Sequence, residues 1–299
     1  TGIYRHRNFT FSTQKRYRIL LIQAGNLKGE KGIIMHPILY QSDTLIIDSY
    51  SVFFLLAWMV GGVVFYREFR RMDWELEQML FVMVGAIVGA VIGSYIFNIF
   101  FAGFEEVPAR IRAFDFAGKT VLGGIAGGFM GVELAKKKIG YPHSTGDAFA
   151  VAIPLGHAIG RIGCLLGGCC FGTPCTLPWA ITYPEGSIAH LTQMVTDVIP
   201  ETATMSLAVH PAPVYEIIFN LALFGYLWQK RGTYKVRGSS FRLYLAAYGL
   251  FRFFEEFVRG DSPFPEDGFL KAPQWLLLAA VAYFGWRYYQ NEYKLKVKN

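Results

Sequence analysis

The chain has 299 residues, of which 53% are hydrophobic, 16% aromatic and only 17% charged, with a formal net charge of +7. Soluble domains run at roughly 45–50% apolar and about 25% charged, so this composition excludes a disordered chain and argues against a nucleic-acid binder, whose Lys and Arg gather on a polar face. Four cysteines are too few for a disulfide scaffold.

The positive charge is concentrated at the start. Residues 1–34 carry Arg5, Arg7, Lys15, Arg16, Arg18, Lys28 and Lys31 against Glu30 alone, leaving 22 basic and 21 acidic residues for the rest. This segment reads either as a basic arm against lipid headgroups or as an upstream extension with Met35 the natural start. The second fits the charge rule for membrane topology better. No cleavable signal peptide is visible.

Seven apolar segments follow, at about 45–66, 79–103, 116–135, 147–170, 212–229, 241–258 and 272–289. Each is long enough, or nearly so, to cross a bilayer core of about 30 Å. The expected fold is an all-α integral membrane protein with about seven transmembrane helices, its residues 35–299 forming a single domain. Arg67, Arg70 and Arg71 follow the first segment, Lys136, Lys137 and Lys138 the third, Lys230, Arg231, Lys235 and Arg237 the fifth, and Arg287, Lys294, Lys296 and Lys298 the seventh. The positive-inside rule places these ends in the cytoplasm. The connection 173–209 holds no Lys or Arg and four prolines, so it is expected outside, as an irregular external cap with a short strand pair around Trp179–Tyr183. The N-terminus is then out and the C-terminus in.

Small residues recur at intervals of four in the second and third segments: Gly85, Gly89 and Gly93, then Gly123, Gly127 and Gly131. This spacing lets helix backbones approach closely and says little about chemistry.

The fourth segment carries His157 and Arg161 one turn apart within a glycine-rich stretch that ends Gly167-Gly168-Cys169-Cys170-Phe171-Gly172. Glycines around a buried Arg suggest an anion held in an opened helix. The stretch lacks the Gly-Lys-Ser/Thr of a P-loop, and no cofactor is expected. Cys164, Cys169, Cys170 and Cys175 lack the paired C-x-x-C of zinc sites, so no metal is expected. Cys169 and Cys170 are either redox-active or nucleophilic thiols, or small buried packing residues.

His210-Pro211, with Tyr215-Glu216, opens the fifth segment. Glu216 either binds or catalyses, or complements the positive end of the helix dipole. In the sixth, Tyr248, Arg252, Glu256 and Arg259 are spaced by four, four and three, which puts them on one helical face. Such a stripe does not face lipid; it lines a polar interior. An arginine there suits a phosphate, which a guanidinium grips with two parallel hydrogen bonds. A structural ladder, Arg252 with Glu256 and Glu255 with Arg259, is the alternative.

These motifs in this order resemble the bacterial prolipoprotein diacylglyceryl transferases. Met35-His36-Pro37 with Asp48-Ser49-Tyr50-Ser51 looks like the family's first span. Gly160-Arg161-Ile162-Gly163, with Gly168 and Gly172, matches its signature around an essential Arg. His210-Pro211 with Tyr215-Glu216 matches the next motif, and Tyr248-Gly249-Leu250-Phe251-Arg252 with Glu256 and Arg259 the last. The resemblance implies a multi-pass enzyme of the bacterial inner membrane, its site open toward the periplasm. It implies transfer of the diacylglyceryl group of phosphatidylglycerol to the lipobox Cys thiol of a prolipoprotein, with glycerol phosphate leaving.

In that reading Arg161, Arg252, Glu256 and His157 are catalytic, and Tyr50, Gly123, Gly172, His210, Tyr215, Glu216, Tyr248 and Arg259 bind substrate. The family's usual polar residues are replaced here by Leu122, Cys164 and Cys169, which leaves His157 as the expected base. Two alternatives stay open. One is a related lipid transfer to another acceptor, with chemistry at Cys164, Cys169 or Cys170. The other is a non-catalytic lipid-binding subunit with a partner in a membrane complex.

Overall fold

A computed structural model of the chain describes residues 36–42, 46–102, 121–260 and 269–293; the basic segment 1–34 and Met35 lie outside the described residues. A short antiparallel strand pair, β1 (Ile38–Gln41) and β2 (Ile46–Asp48), aligns Tyr40 with Ile47 and Gln41 with Ile46. It leads directly into α1 (Ser49–Arg71). Asp48 caps that helix: its carboxylate accepts from the Ser51 backbone N–H at 2.8 Å and the Ser51 hydroxyl at 2.7 Å, satisfying a donor that the first turn leaves open.

The remaining helices are α2 (Leu76–Ala102), α3 (Val121–Lys138), α4 (Gly146–Gly167), α5 (Ile188–Val195), α6 (Ala212–Lys230), α7 (Ser239–Glu255) and α8 (Ala272–Glu292). Each of the seven apolar segments therefore contains a helix. Three of them, α1, α2 and α4, are long and apolar enough to cross a membrane by length and composition alone. Much of α1 and α2 is exposed Leu, Val, Ile, Met and aromatic side chain, as expected of a surface solvated by lipid rather than water.

The chain divides into two compact units: the described parts of Thr1–Phe65 with Thr145–Asn299, and Tyr66–Ser144. In the second unit α2 and α3 pack along their length. A Cβ on Gly85 would stand 2.6 Å from the Gly131 carbonyl oxygen, and one on Gly93 2.6 Å from the Gly127 Cα. The four-residue glycine ladders thus face each other, and the backbones touch. At one end of this unit Trp74 packs edge-on against Phe69, with ring centroids 4.3 Å apart, and against Tyr141 at 4.7 Å.

In the first unit α4 packs against α6 and α7, and α7 against α8. The first half of α1 lies on α4 through glycines: a Cβ on Gly156 would meet the Ala57 carbonyl oxygen at 3.2 Å, and one on Gly163 the Tyr50 Cα at 3.2 Å. At the opposite end of α4, Asp147 accepts the Gly238 backbone N–H at 2.6 Å, tying the start of α4 to the start of α7.

Residues 173–209 form the connection between α4 and α6. Instead of a regular strand pair near Trp179–Tyr183, the chain makes isolated bridges, Ile181 with Val209, Pro174 with Val209 and Pro184 with Met205. Prolines and turns interrupt any longer ladder. The α5 helix, which alternation in the sequence did not foreshadow, is capped by Ser187, whose hydroxyl accepts from the His190 N–H at 3.2 Å. Phe171, Tyr183, Ala189 and Val209 make a small apolar core beneath it.

Candidate functional site

Glu216, on the second turn of α6, is fully buried and is the hub of the site. Its Oε2 accepts the Arg161 Nε–H at 2.6 Å and lies 3.1 Å from His157 Nε2. Its Oε1 lies 3.4 Å from Arg259 Nη1. The three partners arrive from two parts of the chain, α4 and the segment beyond α7. His157 and Arg161 sit one turn apart on α4, as their spacing predicts. Asn220, one turn after Glu216, donates to the Glu216 backbone carbonyl at 2.8 Å and holds that turn.

Arg259 lies beyond α7, which ends at Glu255. A crossing of backbones delivers it to the hub. Gly172 pairs with Arg259 in an isolated bridge, the Gly260 N–H bonds to the Phe171 carbonyl at 3.0 Å, and the Gly172 N–H bonds to the His210 carbonyl at 3.0 Å. A Cβ on Gly172 would stand 2.6 Å from the His210 oxygen and 2.8 Å from the Val258 oxygen. Only glycine fits where three segments cross, and this explains the residue by packing.

Arg252, on α7, is held from two sides. Its Nη1 lies 2.9 Å from Glu255 Oε2 and its Nη2 lies 2.8 Å from Glu256 Oε2. Glu256 also meets Lys271 Nζ at 3.5 Å. The Arg252–Glu256 pair expected from the four-residue spacing is present, while Arg259 reaches back to Glu216. The side chain of Arg252 is 20% exposed against 8% for Arg161 and 9% for Arg259, so Arg252 is the most accessible guanidinium of the three. Glu255 Oε1 finds no hydrogen-bond partner among the described residues and stands within electrostatic reach of Glu216.

Tyr248 is buried beside this cluster. Its ring lies edge-on to His157 with centroids 5.3 Å apart and stacks on Tyr244 at 5.9 Å, and its hydroxyl has no partner among the described residues. Tyr50, at the start of α1, is half exposed and lies within electrostatic reach of Arg161, Cys164, Cys169 and Cys170. Cys164 Sγ lies 3.7 Å from Arg161 Nη1.

His210 and Tyr215 make a separate group. The Tyr215 hydroxyl lies 3.2 Å from His210 Nδ1 and accepts the Trp179 indole N–H at 2.9 Å, joining the 173–209 connection to the start of α6. Gly123 belongs to the α2–α3 contact in the other unit, where a Cβ on Gly93 would collide with its carbonyl. Leu122 is on α3, and its side chain lies outside the described residues.

Sequence reasoning missed Lys271 and Gln274. The Lys271 ammonium donates to the Glu256 carbonyl at 2.8 Å, and Gln274 donates to the Phe253 carbonyl at 3.1 Å while accepting the Lys271 N–H at 2.8 Å. Together they staple the end of α7 to the start of α8. A lysine at a helix N-terminus, where the dipole disfavours a cation, was the available signal.

Apolar helices around buried arginines and carboxylates define a helical membrane-type protein with a charged interior. The family model described as prolipoprotein diacylglyceryl transferase matches residues 37–288. The chain belongs to that family. It is 34% identical over 146 residues to the phosphatidylglycerol–prolipoprotein diacylglyceryl transferase of Clostridium tetani, covering 48% of this chain and 53% of the relative. It is 29% identical to a second such transferase, from Clostridium perfringens, over 53% of this chain and 57% of the relative. The transferase of Bordetella parapertussis is 31% identical over 52% and 56%. The chain thus spans a little over half the length of the curated relatives it matches.

Proposed function

We propose that this chain transfers the diacylglyceryl group of phosphatidylglycerol to the lipobox Cys thiol of a prolipoprotein, releasing glycerol phosphate. The observation that carries the reading is the gathering of Arg161, Arg259 and His157 on one fully buried carboxylate, Glu216. A leaving phosphate needs fixed positive charge, and arginines pinned by a carboxylate are already oriented when charge develops. Arg252, the most exposed of the three and braced by Glu255 and Glu256, grips the headgroup phosphate first. Arg161 stabilises it as the glyceryl carbon–oxygen bond breaks.

The acceptor thiol must lose a proton, since an ordinary thiol has a pKa of about 8.5. His157, held 3.1 Å from the Glu216 carboxylate through Nε2, is the base that accepts the thiol proton. The thiolate then attacks the primary glyceryl carbon, and the bonding pair departs with glycerol phosphate. Tyr50 and Tyr248 orient lipid oxygens. The distribution of Lys and Arg supports seven spans, with the N-terminus outside, the C-terminus inside and the 173–209 cap in the periplasm. It also supports placement in the bacterial inner membrane with the site open to the outer side.

The test is mass spectrometry of a lipobox peptide incubated with the purified full chain and phosphatidylglycerol. A diacylglyceryl mass increment on the Cys is expected; its absence beside a working control enzyme rejects the reading. Arg252→Lys keeps the charge and loses the two-pronged grip. Its kcat/KM is expected to fall by about 10–100-fold, the cost of about 1.5–3 kcal/mol for one hydrogen bond to a charged group.

A further inference from the structure

Cys164, Cys169 and Cys170 bring their three Sγ atoms within 4.8 Å of one another, and none of these atoms has a part in the transfer chemistry above. The backbone builds the cluster. Gly168 ends α4 in the left-handed conformation, at φ 69°, and the Cys169 N–H bonds back to the Cys164 carbonyl at 3.1 Å. This closure folds Cys169 over the last turn of the helix. Cys170 follows with φ 58°, a left-handed backbone that residues with a Cβ rarely adopt. Cys164 is buried, and Cys169 and Cys170 are half-buried.

We propose that Cys164, Cys169 and Cys170 form a three-thiolate site for a soft monovalent metal ion, Cu(I), at the end of α4. The donor set is sulfur only, since among the described residues no imidazole or carboxylate joins the cluster. All-thiolate donors select Cu(I) and other soft ions over Mg(II), Ca(II) or Mn(II). Three sulfurs bound to one metal at about 2.3 Å stand about 4 Å apart in a trigonal plane, so small side-chain adjustments close the site. Zn(II) calls for a fourth ligand in a closed site, and Cys175 stands outside the cluster.

Charge favours the same ion. Three thiolates around Cu(I) carry two negative charges. Arg161 Nη1 lies 3.7 Å from Cys164 Sγ, and Arg259 is within electrostatic reach of Cys170. Loading forms three sulfur–copper bonds and releases the three thiol protons to solvent. Copper enters as Cu(I), so nothing is oxidised or reduced.

The experiment is an anaerobic titration of the reduced full chain, in detergent, with Cu(I) buffered by bicinchoninate, followed by X-ray absorption of the loaded protein. One tightly held copper per chain with three sulfur scatterers is expected. Single Cys164→Ser, Cys169→Ser and Cys170→Ser variants should each bind at least about tenfold more weakly, whereas Cys175→Ser should bind as the parent does. Copper lost entirely to the chelator overturns the site, as does a nitrogen or oxygen shell, or equal weakening by Cys175→Ser. The sulfur count is read on the unaltered chain, so a variant that folds poorly does not decide the matter. Metal content is measured without turnover, which keeps this result separate from the transferase test.

Discussion

Helices α2 and α3 meet through glycine, whereas α4 and α6 meet through charge. In the first pair the backbones come so close that a Cβ on Gly127 would stand 2.6 Å from the Gly93 Cα. In the second pair the helices are joined by Glu216 of α6 with Arg161 and His157 of α4. Lipid supplies no hydrophobic drive between helices, so both contacts rest on what replaces it: dispersion at short range in one, buried ion pairs in the other. The glycine contact leaves no room for a ligand. The charged contact holds side chains whose preferred partners include anions, so the element that binds the helices is also the one on which the proposed chemistry rests.

Removing the hub should break this comparison most severely. Glu216→Gln leaves Arg161 and Arg259 facing a neutral amide, and stripping one partner from a buried ion pair costs about 3–5 kcal/mol. Thermal unfolding in detergent should show that loss, and peptide lipidation should fall with it. Unchanged melting would mean that charge does not hold α4 to α6.

The glycine contact should answer to position rather than to composition. Gly127→Ala forces the α2 and α3 backbones apart, and overpacking of this kind costs about 1–3 kcal/mol. Gly128→Ala, one residue on, meets the Ala86 oxygen at 3.4 Å and the Ala90 Cβ at 3.5 Å, both ordinary contacts. It should cost nothing and gain up to about 1 kcal/mol of helix propensity. Equal effects at the two positions would show that the ladder does not set the approach.

The smallest effect is expected in the 173–209 connection, which uses neither device. The Tyr183 hydroxyl is buried without a partner among the described residues, and burial pushes its phenol above its ordinary value. The folded state therefore favours the neutral ring. That stability is complete below the unfolded pKa of about 10 and is lost as pH climbs from there through the raised folded value. Tyr183→Phe should shift neutral-pH stability by less than about 1 kcal/mol, in the stabilising direction, and should remove the alkaline loss. Melting curves at neutral and alkaline pH check both.

The helices were legible because apolar runs and glycine spacing are local signals. So were His157 with Arg161 and Arg252 with Glu256, since residues one turn apart must share a helical face. The hub was not legible. Arg161 and Arg259 lie 55 and 43 residues from Glu216 in the chain, and only the packing of α4 on α6 and the crossing at Gly172 brings them together. Extending the α7 stripe to Arg259 misjudged where the helix stops, and with it the partner. The cysteine cluster escaped for another reason. Zinc-site templates assume a C-x-x-C turn, and here the sulfurs converge through two left-handed residues, Gly168 and Cys170, at a helix end.

Lys271 has a consequence that reaches beyond stapling. A helix ends with its last carbonyls exposed and a partial negative charge of about half an electron. At the end of α7, the Lys271 ammonium bonds the Glu256 carbonyl at 2.8 Å and lies 3.5 Å from the Arg259 carbonyl. It sets a full positive charge against that negative pole. The negative pole of α7 is thereby offset at the end nearest the arginines, and the local charge around Arg252 is set by the Glu255 and Glu256 carboxylates rather than by the helix terminus.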